Sequence, residues 1–398
     1  MINNIEKESL KNCIGCGICA CVCPKKCISM ELDKDGYFEA VVKGSCIHCG
    51  QCVKVCRKYQ NENETEGRFA QHIYVGYYRD ERIRKVSSSG GIATAIAKWA
   101  VENEYVVMGA AMNSNGVVEH IVISDKNKIK QICGSKYVPS YTVEAFSKIL
   151  KYKKVLVFGT PCQIQAIRKA YPNHENLILV DFKCFGPAGY NLLNKYIEYQ
   201  KEENKSNITW INMRSKRRDW LNWGIEIKFQ SGKHYFKQKQ FDLFGKCFST
   251  YGAVRKDCLE CLDLKAKSFG DIRLEDAWSY MDYGEKNDFK MGLSQISTFN
   301  QKGERIVKAL GNRIQAESVE NRKVEHEISS HSYKKKLMEL LRDDDKDLKS
   351  IVKEYEKTLT FAEKLYYRLC FLADYNPYVY SKLHKIYKGL KRKHSHKG

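Results

Sequence analysis

The residues whose types and spacing commit them to chemistry are cysteines near the start of the chain. Cys13, Cys16, Cys19 and Cys23, followed by Pro24, have the spacing Cys-x2-Cys-x2-Cys-x3-Cys-Pro. Three thiolates two residues apart on a tight loop reach three irons of one four-iron cube. The fourth, launched away by the helix that follows, ligates a second cube. The run recurs as Cys46, Cys49, Cys52 and Cys56, with Arg57 in place of the proline. Crossing the copies assigns Cys13, Cys16, Cys19 and Cys56 to one 4Fe-4S cluster, and Cys46, Cys49, Cys52 and Cys23 to another. Gly15, Gly17 and Gly50 let the backbone curl so that amide N–H groups face sulfur. A pair of zinc sites is the competing reading, but zinc pairs are usually separated by a longer insert and lack a third cysteine two residues on. Cys21 and Cys27 fall outside the spacing and are expected to be small packing residues.

A third set is scattered. Cys162 follows a strand-like run in Gly159-Thr160-Pro161-Cys162-Gln163, Cys184 follows another in Phe182-Lys183-Cys184-Phe185-Gly186, and Cys258-Leu259-Glu260-Cys261 supplies a pair. Carboxyl ends of strands are where α/β sheets place their sites. The residues alone leave two readings: four ligands of a third cubane, or buried thiols beside a zinc half-site. Cys133, Cys247 and Cys370 have no partner pattern and read as structural. Ser87-Ser88-Ser89-Gly90-Gly91 precedes a helical stretch, where such a turn is either a helix cap or a phosphate cradle at a positive helix end. His120, alternating with apolar residues, reads as a strand-edge histidine rather than a proton donor.

The elements that must position these groups follow from periodicity. β-rich runs at 105–109, 155–159 and 177–182 alternate with helical stretches near 92–101, 143–150 and 164–171, and a hairpin is expected over 225–235. After Gly303 the pattern is helical, with heptad-like spacing of Leu337, Leu340, Leu341, Leu348 and Ile351. The polar acidic run 61–67 reads as a linker. The expected fold is therefore α+β in three parts: a ferredoxin-type head at 1–62, a central α/β domain at 68–310 and a basic helical extension at 311–398.

Composition agrees with a large intracellular protein. The chain has 398 residues, 43% of them hydrophobic, with a mean hydropathy of -0.52 and no window near the ~18 apolar residues of a membrane span. It opens without an apolar leader, so a cytoplasmic location with reduced thiols is expected. Seventeen cysteines, an odd number clustered in a long chain, argue against a disulfide scaffold. The net charge of +21 calls for an acidic partner. The excess lies outside the head, since residues 382–398 carry seven basic and no acidic side chains.

Taken in order, the two-cluster head, Ser88-Ser89-Gly90-Gly91, Gly134-Ser135-Lys136-Tyr137-Val138, Gly159-Thr160-Pro161-Cys162-Gln163-Ile164, Asp181-Phe182-Lys183-Cys184-Phe185-Gly186, Cys258-Leu259-Glu260-Cys261 and Asp271-Ile272-Arg273-Leu274-Glu275-Asp276-Ala277-Trp278 resemble the coenzyme F420 hydrogenase/dehydrogenase beta-subunit family, from about residue 10 to about residue 310. The resemblance implies an iron–sulfur flavoprotein oxidoreductase, with the central domain holding FAD and a third 4Fe-4S cluster on Cys162, Cys184, Cys258 and Cys261. It implies FAD contacts at Ser88, Ser89, Gly90, Gly91, Ser135, Lys136 and Thr160, and Asp276 as the catalytic candidate. Bacterial members occur with cell-surface polysaccharide biosynthesis genes. Two departures bear on the deazaflavin as substrate: Phe185 stands where members usually have His, and Glu275 and Ala277 flank Asp276 in place of Gly and an aromatic residue.

The reading that follows is an enzyme taking low-potential electrons from a protein partner through the head and delivering two at a time to a small organic substrate by way of FAD. Its rival is an electron-carrier subunit that feeds a partner enzyme. A zinc-dependent nucleic-acid binder is the weakest reading, because no base-stacking module accompanies the positive charge, and no nucleic-acid partner is assigned. The tail from Phe361 interleaves aromatic and basic residues at helical spacing. Two short helices broken near Pro377 are expected there, either packed or lying on an anionic membrane face.

Overall fold

Each cysteine triad is followed at once by a short helix, because a glycine in the left-handed region turns the chain into it. Gly17 (φ 74°) leads into α1 (Ile18–Cys21) and Gly50 (φ 74°) into α2 (Gln51–Val55). Between them, β1 (Ile28–Leu32) and β2 (Phe38–Val42) form an antiparallel hairpin whose turn is fixed by the Asp33 carboxylate accepting from the Asp35 and Tyr37 amides. The computed structural model describes residues 3–6, 13–57, 67–113, 115–249, 252–255, 257–258, 267–280, 282–283, 288–320, 332–359 and 364. Most of the expected linker, Cys261, Cys370 and the expected tail helices around Pro377 lie outside the described residues.

The body continues through β3 (Arg68–Phe69), β4 (His72–Tyr78), α3 (Glu81–Val86), α4 (Ile92–Glu102), β5 (Val106–Met112), β6 (Val118–Ile123), α5 (Val143–Phe146), β7 (Val155–Gly159), α6 (Pro161–Ala170), β8 (Leu177–Phe182) and α7 (Tyr190–Asn204). It then runs through β9 (Ile208–Ser215), β10 (Gly224–Phe229), β11 (His234–Gln238), α8 (Leu243–Ser249), β12 (Lys267–Ser268), β13 (Ile272–Asp276), β14 (Ser294–Thr298), α9 (Gln301–Leu310), β15 (Ile314–Ser318), α10 (Ser332–Leu341) and α11 (Leu348–Thr358).

Eight strands form the main sheet in the order β15-β4-β14-β13-β8-β7-β5-β6. β5, β7, β8 and β13 are mutually parallel, with Val106 opposite Val155, Gly159 opposite Asp181 and Ile272 opposite Val180. All of β7 is buried, as a parallel strand covered on both faces requires, which is why its sequence is an unbroken apolar run. β14 runs antiparallel to both β13 and β4, so β4 points the same way as the parallel strands. The turn after β7, the turn after β8, the end of β13 and the segment after β4 therefore share one edge of the sheet.

The mixed α/β character read from the sequence is present. The hairpin expected at 225–235 is β10 and β11, joined by β9 into a three-stranded sheet, and the stretch 143–150 divides into α5 and a single 3-10 turn at Ile149–Lys151. The helical pattern after Gly303 is interrupted by β15, which pairs with β4. The heptad-spaced residues of α10 and α11 do not stand apart. Leu337, Leu340, Leu341, Leu348 and Ile351 pack in one apolar cluster with Tyr196 of α7 and Phe244 of α8. Among the described residues, no helix is long and apolar enough to cross a membrane.

Candidate functional site

The first thiol set comes together across the head. Gly15 (φ 71°) returns its amide to Cys13 Sγ at 3.4 Å, and Thr142 Oγ1 donates to the Cys16 carbonyl at 3.0 Å. A Cβ on Gly15 would lie 2.7 Å from the Phe38 carbonyl and one on Gly17 2.2 Å from Thr142 Oγ1, so the loop admits only glycine at both positions. Burial pushes the Cys16 thiol well up, and the charges of Cys13, Cys162 and Cys56 add to it. Cys19 is raised by burial and then by Cys16, Cys13 and Cys56. Cys13, Cys16, Cys19 and Cys56 thus lie near one another in the head.

The second set lines a small cavity: Cys23, Cys46, Cys49 and Cys52, with Cys27 and Asn4 in the same wall. The Asn4 amide (3.5 Å) and the His48 N–H (3.4 Å) donate to Cys46 Sγ and hold that thiol below its usual range. His48 takes a positive φ of 52°, matching Gly15 in the first loop. Cys27, expected as packing, instead faces this set, with its Sγ 3.5 Å from that of Cys23. Cys21 behaves as expected and donates to the Val143 carbonyl.

The described members of the third set, Cys162, Cys184 and Cys258, sit at the carboxyl edge of the sheet. Cys162 is the second residue of α6, whose entry is fixed by Pro161 and by the Gln163 side chain accepting from the Thr160 amide at 2.9 Å. Cys184 follows β8, and Gly186 (φ 91°) returns its amide to Cys184 Sγ at 3.4 Å. Gly186 also lies against Cys258: a Cβ there would be 2.9 Å from Cys258 Cβ. A pattern that sequence reading missed is now visible. Cys13-Ile14-Gly15, Cys46-Ile47-His48 and Cys184-Phe185-Gly186 make the same N–H-to-sulfur turn, and Cys-x-Gly at 184–186 was its signal. Among the described residues, no three His, Cys, Asp or Glu side chains converge on a single metal ion. The donor chemistry fits four-iron cubes, since each set is built of thiols, with backbone amides turned to sulfur.

Near the same edge, the Ser135 hydroxyl donates to Ser88 Oγ at 3.0 Å, and Gly90 N–H donates to Ser294 Oγ. Gly91 (φ 87°) precedes α4. Lys136 is not a solvated surface lysine. Burial pushes it down to about 8, and its Nζ donates to the Cys133 carbonyl. The Thr160 hydroxyl lies 3.1 Å from Cys162 Sγ, on the thiol side of this region. Both oxygens of Asp276 are engaged, Oδ2 by Arg214 (2.8 Å) and Oδ1 by the Trp220 indole (3.1 Å).

Sequence reading overlooked Arg214, Lys216 and the aromatic residues around them. Arg214 also donates to the Tyr137 hydroxyl and lies over Trp223 and Trp278, while Trp278 stacks on Trp220 at 4.0 Å. Burial alone would lower Arg214, but Asp276 and Tyr137 outweigh it and the guanidinium stays charged; its Nε is buried without a hydrogen-bond partner among the described residues. Lys216 Nζ donates to the Arg84, Ser89 and Met291 carbonyls, tying the Ser88–Gly91 turn to the body. His120 is a strand-edge residue as expected: it lies in β6, and burial pushes it down to about 4. A cavity of about 560 Å³ at the opposite edge of the sheet, lined by Arg68, Arg168, Lys302 and Arg305, contains none of these groups.

Thiol-bearing loops at one edge of a mixed α/β body have the donor chemistry of an iron–sulfur or zinc protein. Residues 73–147 match the N-terminal model, and residues 152–323 the C-terminal model, of the coenzyme F420 hydrogenase/dehydrogenase beta subunit. The chain belongs to this family of iron–sulfur oxidoreductases. Both matches begin after the cysteine-rich head, and the second extends past residue 310. The coenzyme F420 hydrogenase subunit beta of Methanococcus voltae is 24% identical over 217 residues, covering 50% of this chain and 72% of that protein. A chain in the xenon-derivatized F420-reducing NiFe hydrogenase complex of Methanosarcina barkeri superposes with a TM-score of 0.45 and 19% identity, over 75% of this chain and 94% of that one.

Proposed function

We propose that this chain is an iron–sulfur flavoprotein oxidoreductase that exchanges electrons with a protein partner through its head and acts on a small organic substrate at the sheet edge. The observation that carries the reading is the packing of α1 against α6, the helix that carries Cys162: Cys16 and Ile18 sit in one apolar cluster with Ile164 and Ile167. It links the head's first thiol set to the set beside the Ser88–Gly91 turn. When bound, clusters carry single electrons and FAD converts them to two-electron chemistry. Cys13, Cys16, Cys19 and Cys56 would hold one cluster, Cys46, Cys49, Cys52 and Cys23 a second, and Cys162, Cys184, Cys258 and Cys261 a third.

The chain's own residues have distinct parts in this reading. Ser88, Ser89, Gly90, Gly91 and Ser135 form the turn that would receive the FAD phosphates at the start of α4, with Lys136 and Lys216 supplying positive charge. Arg214 offers an Nε–H that has no partner among the described residues, beside Trp223 and Trp278, a place for an anionic or carbonyl oxygen of flavin or substrate. Asp276 keeps that guanidinium oriented. Anaerobic reconstitution followed by iron, sulfide, zinc and flavin analysis tests the reading. About twelve irons and one FAD per chain are expected, and little zinc. Iron near eight with FAD bound would remove the third cluster alone. Stoichiometric zinc without iron would remove the whole proposal.

An electron-carrier role within a larger complex is the second reading. It is favoured by Ile47, an apolar residue 54% exposed between Cys46 and the exposed Cys49, which gives the second thiol set a face for a partner protein. Substrate turnover by the isolated chain would decide for the enzyme.

A further inference from the structure

Four sulfurs complete a four-iron cube, yet five thiols surround the second site. Cys23, Cys27, Cys46, Cys49 and Cys52 line the same cavity. Cys27 Sγ is 3.5 Å from Cys23 Sγ, and Cys46 lines the same cavity. The two candidates for the fourth position are carried on one turn, closed by the Lys26 amide bonding to the Cys23 carbonyl at 3.1 Å. Downstream, the Lys43 amide fixes the Cys27 carbonyl at 2.6 Å, where the β1–β2 hairpin begins. The backbone at both cysteines is therefore held, with both residues already in the wall of the cavity.

We propose that Cys27 is an exchangeable ligand of the second cluster, able to take the coordination position of Cys23. This rests on the iron–sulfur reading above. In the exchange the Cys23 sulfur–iron bond breaks and a Cys27 sulfur–iron bond forms. The proton leaving the Cys27 thiol is taken up by the released Cys23 thiolate, and no electron changes hands. The spacing rule alone hides this role, because Cys27 lies outside the repeated run. Its place in the wall of the site comes from the turn.

The test compares full-length wild type, Cys23→Ala, Cys27→Ala and the double variant, each reconstituted anaerobically with iron and sulfide. Both single variants are expected to hold wild-type iron, whereas the double variant loses about four irons per chain. Alkylation mapped by mass spectrometry gives a second measurement that does not depend on variant stability. Cys27 should be labelled in loaded wild type and protected in loaded Cys23→Ala, whose reduced-state electron paramagnetic resonance spectrum should also shift. Iron loss in Cys23→Ala equal to that of the double variant, with the first-site signal and bound flavin retained, would overturn the exchange. Iron loss in Cys27→Ala alone would overturn it too, making Cys27 a fixed ligand. Failure of wild type to take up iron would instead sink the iron–sulfur reading itself.

Discussion

Arg255 reaches from the segment before Cys258 to the backbone carbonyl of Cys13, joining the first and third thiol sets through one side chain. The same guanidinium donates to the Phe38 carbonyl, lies 3.7 Å from Asp33 and covers the Tyr37 ring. It is a strut between the head and the body. Arg255→Met is expected to keep full iron content yet slow reduction of bound flavin by an external low-potential donor. Leaving buried acceptors without a donor costs about 1–3 kcal/mol, so the melting temperature should fall as well. Unchanged melting and unchanged reduction rate would show that the head docks without it.

Gly186 tests the third site. Alanine there must adopt a φ of 91° and bring its Cβ within 2.4 Å of Val254 and 2.9 Å of Cys258. The loop carrying Cys184 has to move away from Cys258, and Gly186→Ala should lose about four irons while the head keeps its eight. Gly232→Ala is the control, since Gly232 has a φ of 83° with nothing within 4 Å of its Cβ position among the described residues. It should show only the left-handed backbone penalty of about 1–2 kcal/mol, with iron intact. Equal iron in both variants would separate Gly186 from cluster binding.

Asp276 and Arg214 form a pair whose exposures are 18% and 10%. Removing one charge strands the other, so Asp276→Asn should destabilise the chain by about 3–5 kcal/mol. Pairing it with Arg214→Met should recover part of that loss. A urea titration of both single variants and the double variant measures the coupling. If Asp276 instead served as a free proton donor, Asp276→Asn would abolish turnover with the urea midpoint unchanged.

The sequence made the two thiol runs of the head legible because a cube needs fixed spacing within one loop. Strands β7 and β8 were equally plain, since a strand buried on both faces is apolar throughout, as β7 is, or nearly so, as β8 is with Asp181 its one charged residue. Arg214 was not legible: it lies in β9, and only the folding of β9 toward the end of β13 gives its charge a partner. Lys216 has no motif for the same reason. Its partners are three carbonyls, which any residue supplies. The buried pair Asp181 and Arg273 was visible only as part of two family-like segments. In the folded chain Arg273 grips Asp181 at 2.7 and 2.9 Å and so holds β13 beside β8.

Lys216 gives a pH dependence of defined sign. Burial, reinforced by Arg214 and Arg84 and opposed by Asp276, pushes it down to about 7. Below that value the ammonium has three N–H donors for its three carbonyls, at 2.7, 2.6 and 2.5 Å. Above it the neutral amine has two, and its lone pair must face a carbonyl oxygen, which loosens the hold on Ser89 and the turn. FAD affinity, if that turn receives the phosphates, should therefore fall as pH rises through about 7. The folding contribution runs the other way. Between about 7 and the ordinary 10.5 the unfolded chain keeps a proton that the folded chain has lost, so this lysine's contribution to stability rises with pH across that window. Fluorescence titration of FAD and urea unfolding, both from pH 6 to pH 9, measure the two trends; Lys216→Met should flatten both, whereas Lys216→Arg, charged throughout, should retain FAD at the upper end. A wild-type FAD affinity that is flat over this range, matching Lys216→Met, would remove Lys216 from the flavin turn.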